Sequence, residues 1–98
     1  MTEKVKRVRG SGNIFLDVGF SRAEAENLKL RFELMMRIED FYQESGMTQA
    51  RAAKALGLTQ PRFNALLKGK IQLFSLDALV NIASRAGLNV RLVVKKAA

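Results

Sequence analysis

Between Met47 and Lys70 the chain reads MTQARAAKALGLTQPRFNALLKGK. Arg51, Lys54, Arg62, Lys68 and Lys70 are cations, and Thr48, Gln49, Thr59, Gln60 and Asn64 carry uncharged donors and acceptors. No Asp or Glu occurs between Met47 and Leu76. Cations without interspersed carboxylates suit a surface that faces phosphates. A carboxamide offers a donor beside an acceptor, which matches the adenine edge, and an arginine fork matches guanine or a phosphate.

The elements that must hold these groups are legible around them. Thr48 is a helix-cap residue before an alanine-rich helix from Gln49 to Leu56, and Gly57 breaks that helix where the chain must reverse. Thr59 caps a second helix to Leu67 or Lys68, which Gly69 ends. Two helices crossing steeply over a short turn need small residues at their closest approach, which Ala52 and Ala53 supply. Leu56, Leu58, Phe63 and Leu66 then form the apolar patch between them, and Gly57 takes the left-handed conformation that a Cβ resists. An ordinary αα-hairpin with a solvated basic face is the plainer reading. The two caps, the alanine pair, the glycine and the acid-free surface together favour a helix-turn-helix, whose second helix enters the DNA major groove.

The run TQxxAAxxLGLTQPRxxxLLxGK, followed by FSLDALVNIASRAGLNV, resembles the Xre/Cro-type helix-turn-helix regulators, and is most similar to the branch that includes HigA-like antitoxins. The resemblance covers about residues 14–94. It implies a mainly α fold: a lambda-repressor-like bundle of 4–5 helices with a short C-terminal β-strand. It also implies that Gln60, at the start of the recognition helix, reads base edges. Two departures matter: Pro61 and Ala65 stand where relatives often carry polar base readers. Proline has no N–H, and alanine can touch only a thymine methyl, so direct readout rests on Gln60, Arg62 and Asn64, with DNA shape supplying the rest.

Composition narrows the alternatives. Ninety-eight residues with a formal charge of +8 make one domain that favours polyanionic partners, nucleic acid first and anionic membrane second. With neither cysteine nor histidine, the commonest catalytic base, thiol nucleophile and transition-metal ligands are missing. No inward carboxylate or lysine pair replaces them, so we expect no enzyme, no metal and no cofactor. No apolar run approaches the roughly 18 residues that span a bilayer, and MTEKVKRVRGSGN lacks the apolar region of a secretory signal, so a cytoplasmic location is expected.

Residues 1–12 hold Lys4, Lys6, Arg7 and Arg9 against Glu3, followed by Gly10-Ser11-Gly12, and read as a flexible basic arm; residues 13–98 form the domain. NIFLDVGF, from Asn13 to Phe20, reads as a short strand or an apolar clasp. Ser21 and Glu24 make a capping box for a long helix in which Leu28, Phe32, Met35, Ile38 or Glu39, and Tyr42 recur at helical spacing. Leu30, Leu34 and Phe41 widen that face, with Gly46 as the stop. We expect this face, with Met36, to be core, and the acids Glu33, Glu39, Asp40 and Glu44 to be a solvated face. IQLFS reads as an apolar loop. Ser75 caps the last helix, with Asp77 in its first turn, a buried stripe of Leu76, Leu79, Val80, Ile82, Ala83 and Ala86, and Gly87 as its end. Asn89–Val94, NVRLVV, alternates like a strand that lacks a hairpin partner. It can pair with Ile14–Val18 or with its own copy in a two-fold dimer, and the dimer is favoured because it reads a palindrome.

The expected partner is therefore double-stranded operator DNA. Thr48 and Gln49 at the first helix start, with Arg51, Lys54, Lys68 and Lys70, are phosphate candidates; Thr59 caps the recognition helix, and Gln60, Arg62 and Asn64 are the base candidates. The resemblance implies an autoregulating repressor that also binds a cognate toxin. A stand-alone phage or mobile-element regulator is the alternative, and an RNA-associated or protein-interaction adaptor is the rival of another class.

Overall fold

The computed structural model describes residues 13–96; the basic arm expected at 1–12 lies outside them. Among the described residues the chain forms five α-helices and one 3-10 turn: α1 (Ile14–Asp17), α2 (Arg22–Ser45), α3 (Gln49–Ala55), α4 (Gln60–Leu67), the turn Ile71–Leu73 and α5 (Leu76–Arg85).

Each helix begins where a side chain can satisfy its free N–H groups. Ser21 Oγ accepts from Glu24 N–H at 3.2 Å while Glu24 Oε1 accepts from Ser21 N–H, completing the capping box. Thr48, Thr59 and Ser75 accept from Arg51, Arg62 and Ala78 N–H in the same way. Each such cap is worth about 1 kcal/mol. The helix ends are equally regular. After α3, Leu58 N–H reaches Ala53 O at 2.8 Å and Gly57 N–H reaches Lys54 O. This Schellman closure needs a left-handed residue, and Gly57 has φ +74°.

The core forms where α2 and α5 back the α3–α4 pair. Ile38, Ala52, Leu56, Phe63, Phe74, Leu79 and Ala83 are completely buried, with Met35, Ala53, Leu66 and Ile82 beside them. Tyr42 meets Phe63 edge to face at 5.1 Å. The expected inner patch is present, with Leu58 only half-buried. The α2 face is narrower than its spacing suggests. Met35 and Ile38 are core and Met36 is half-buried, whereas Leu30 and Phe32 remain 42% exposed. The core sits against the C-terminal half of α2, and the N-terminal half projects past it, touched by α1.

Neither segment with a strand-like reading is a strand among the described residues. Ile14–Asp17 is a helical turn, not a strand, because Asn13 caps it: Asn13 Oδ1 accepts from Phe15 and Leu16 N–H, and its Nδ2 donates to Ala25 O. It acts as the clasp, with Phe15 edge-on to Phe32 at 6.3 Å and to Phe20 at 6.2 Å. No strand occurs among the described residues, and Asn89–Val94 has no regular secondary structure. With Ile14–Asp17 turned into a helix, the described residues offer this segment no edge to pair with.

Gly57 also carries a close approach. A Cβ there would lie 2.7 Å from Nε of Arg85, whose side chain crosses the turn. Gly57→Ala is therefore expected to lower stability by about 1 kcal/mol or more, through the strained φ and the displaced arginine. Urea denaturation measures it; an unchanged midpoint would contradict the account.

Candidate nucleic-acid interface

The helix-turn-helix is built from α3, the Gly57 turn and α4, with α3 and α4 packed on each other. Its inner side is supplied by Ala52, Ala53, Leu56, Phe63 and Leu66, which leaves the other positions facing out. Thr48, Arg51, Lys54, Thr59, Gln60, Arg62, Lys68 and Lys70 are exposed, while Gln49 and Asn64 are half-buried. The candidate residues thus lie on the surface of one supersecondary unit. No carboxylate is interleaved with them in sequence.

Local geometry explains several of these placements. Gln60 is the first residue of α4 and Pro61 the second, so the proline's missing N–H falls in the first turn, where it has no intrahelical partner to lose. Ala65 is half-buried against the core. Its side chain packs inward. Lys68 is the C-cap of α4, and Lys70 N–H bonds Ala65 O at 3.1 Å. Both lysines thereby stand at the negative end of the helix dipole, which favours their charge.

Arg62 is placed differently from a free base reader. Its guanidinium lies 4.2 Å from the centroid of the Phe74 ring, and its Nη1 donates to Leu73 O at 3.1 Å. A planar, weakly hydrated cation stacks readily on an aromatic face. The head of Arg62 is consequently held against the turn that follows α4, although the residue is exposed overall.

The same turn is gripped from behind by Arg31 of α2. Its Nη1 donates to both Ile71 O and Phe74 O at 3.1 Å, and its Nε donates to Asn27 Oδ1 at 2.7 Å. Sequence reasoning misses Arg31, because the carbonyls it grips lie 40 and 43 residues downstream on the backbone. Gln72, exposed within the turn, is a further polar group beside the interface that no spacing singles out. Arg31→Ala is expected to cost about 1.5–3 kcal/mol, since charge-assisted bonds to partly buried carbonyls are lost. Chemical denaturation reads the loss. Amide exchange should localise it to Ile71–Phe74, and uniform exchange changes would contradict the clamp.

Among the described residues no group of three or more potential ligand side chains could hold a metal ion, and no helix is long and apolar enough to cross a membrane.

Comparison with known proteins agrees with this architecture. A family model described as a helix-turn-helix domain matches residues 14–95. A solved chain assigned to the XRE family of transcriptional regulators superposes with a TM-score of 0.70 at 27% sequence identity, covering 76% of this chain and 83% of that one. No curated protein matches the chain significantly. With α3, the Gly57 turn and α4 inside the matched span, the chain belongs to the helix-turn-helix domain family, and its fold is that of a DNA-binding transcriptional regulator.

Proposed function

We propose that the protein is a sequence-specific repressor that binds a palindromic operator as a homodimer and serves as the autoregulating antitoxin of a type II toxin–antitoxin pair. The observation that carries the DNA-binding part is the outward array on α3 and α4. Gln60 opens a capped recognition helix, and Arg51, Lys54, Lys68 and Lys70 are exposed around it. In this reading Gln60 and Asn64 meet base edges, and the lysines, Arg51, and the α3 start at Thr48 and Gln49 meet phosphates. Thr59 fixes the start of the recognition helix.

One unit reads only a few base pairs. Two on a two-fold axis read half-sites about 34 Å apart, and the segment Asn89–Val94 is the proposed contact between them. A toxin partner is supported by the resemblance to HigA-like antitoxins. It is also supported by Ile14, Val18, Phe20 and Phe32, which are exposed apolar residues at the α1–α2 corner. A cytoplasmic location follows from this role.

The test is co-purification with the product of the adjacent gene, then fluorescence anisotropy on promoter DNA at two salt concentrations. A stable complex that binds the promoter is the expected result. Promoter binding without a protein partner would leave a stand-alone regulator and remove the antitoxin role. RNA binding without DNA preference would overturn the repressor.

A further inference from the structure

The turn Ile71–Leu73 follows the recognition helix and is held from two sides. Arg31 of α2 donates to Ile71 O and Phe74 O, and Arg62 of α4 donates to Leu73 O, all at 3.1 Å. Ile71 packs against the core and Phe74 is completely buried, so the turn is fastened at both ends. Between these anchors Gln72 and Leu73 are exposed, Leu73 by 54%. The Gln72 carboxamide has no hydrogen-bond partner among the described residues. A backbone with three clamped carbonyls thus presents an uncommitted amide and an uncovered apolar side chain in succession.

Arg62 fixes where they are presented. It is the third residue of α4, in the helical turn that begins at Gln60. The N-terminal residues of a recognition helix are those that meet base edges. The bond from Arg62 to Leu73 O therefore brings the turn alongside the reading end of α4. Arg62 itself is committed to Leu73 O and the Phe74 ring. Gln72, the neighbour of Leu73, is not.

We propose that the turn is a second reading element, beside the base pairs read by α4. Gln72 Oε1 accepts from adenine N6–H, its Nε2 donates to adenine N7, and Leu73 packs on a thymine methyl group. This deepens the DNA-binding reading above and rests on it. Side-chain chemistry selects bases over phosphates. Phosphates are met by cations, and the exposed Lys68 and Lys70 stand just before the turn. Gln72 is neutral, and a carboxamide matches the donor and acceptor of the adenine edge. Leu73 offers nothing to a phosphate, whereas the thymine methyl is the apolar group of the major groove. Ordering a free loop on binding costs affinity; here the two arginines order the turn before DNA arrives.

Selection from a randomised DNA duplex library gives the wild-type consensus, and anisotropy on single-base variants of that duplex gives each preference. Gln72→Ala is expected to lose at least about fivefold discrimination at one A·T pair and to keep the other preferences. Its salt slope and melting temperature should not change, because neither a phosphate contact nor a bond of the folded chain is removed. Substituting 7-deazaadenine at that pair deletes the N7 acceptor. It should weaken the wild type about two- to tenfold and leave Gln72→Ala unaffected. Uracil in place of the contacted thymine should weaken the wild type about fourfold, the effect of one buried methyl group, and leave Leu73→Ala unaffected. A consensus that Gln72→Ala retains in full would overturn readout by the turn while sparing recognition by α4. A loss spread evenly over all positions would overturn it too, since contacts to the DNA backbone carry no sequence information. A wild-type chain with no consensus would remove the sequence-specific reading itself, and this one with it.

Discussion

Phe63→Ala is expected to lower stability by about 3–5 kcal/mol, the range for truncating a fully buried aromatic. Phe63 has no exposed surface and stands edge-on to Tyr42 at 5.1 Å, so it ties the recognition helix to α2. Alanine there leaves a void between α4 and α2, whose other walls, Leu56, Leu66 and Phe74, are held by their own helices and turn. A domain of this size has only about 5–15 kcal/mol in total. Its melting temperature should therefore fall by about 12–40 °C. Operator binding should fall with it near physiological temperature and recover on moderate cooling, as far as the folded fraction recovers. Phe63→Leu, which refills most of the space, should cost visibly less. Calorimetry and anisotropy on the same samples decide it. A variant that melts like the wild type would mean that α4 is not held by this packing. One that stays folded yet never binds DNA would mean that Phe63 itself takes part in recognition.

The parts of this fold that could be read from sequence are those set by local rules. Ser21, Thr48, Thr59 and Ser75 each cap the helix expected of them, and Gly46, Gly57, Gly69 and Gly87 each take positive φ at a helix end. Such signals depend on neighbours within about five residues, so no knowledge of the tertiary fold is needed. Asn13 shows the limit. NIFLDVGF alternates too poorly to distinguish strand from helix by period, and the cap that decides it also relies on Ala25 of α2. Leu30 and Phe32 show another: their helical spacing is right, but spacing cannot tell how far along α2 the body of the domain extends. Asn89–Val94 shows a third limit. Alternation describes a side-chain pattern, whereas a strand exists only when a second strand accepts its hydrogen bonds. For the interface, sequence identified polar residues that do lie exposed or half-exposed on α3 and α4. It could not reveal that the head of Arg62 rests on Phe74, because a stacked arginine and a groove-reading arginine look alike in one dimension.

That placement changes what Arg62→Ala should do. From sequence, Arg62 is a reader of guanine or phosphate whose loss relaxes specificity. Held 4.2 Å over the Phe74 ring and bonded to Leu73 O, it instead joins the first turn of α4 to the turn after it. Arg31 anchors the far side of that turn to α2. The chain α2–Arg31–turn–Arg62–α4 ties α4 to α2, and in the proposed complex the base contacts of α4 depend on that tie. Arg62→Ala is accordingly expected to cost about 1–3 kcal/mol of operator affinity, spread over all base positions instead of concentrated at one G·C pair. Phe74→Leu removes the ring but no charge. At temperatures where it stays folded it should reproduce part of the loss, and the double variant should fall short of additivity by at least about 0.5 kcal/mol. Lys68→Ala should behave otherwise, weakening all sequences about equally and lowering the salt slope by about 1, with no coupling to Phe74. Anisotropy titrations of the variants against a panel of single-base operator changes distinguish the cases. If Arg62→Ala erased discrimination at one base pair and left Phe74→Leu neutral, Arg62 would be a reader after all, and its seat on the ring incidental.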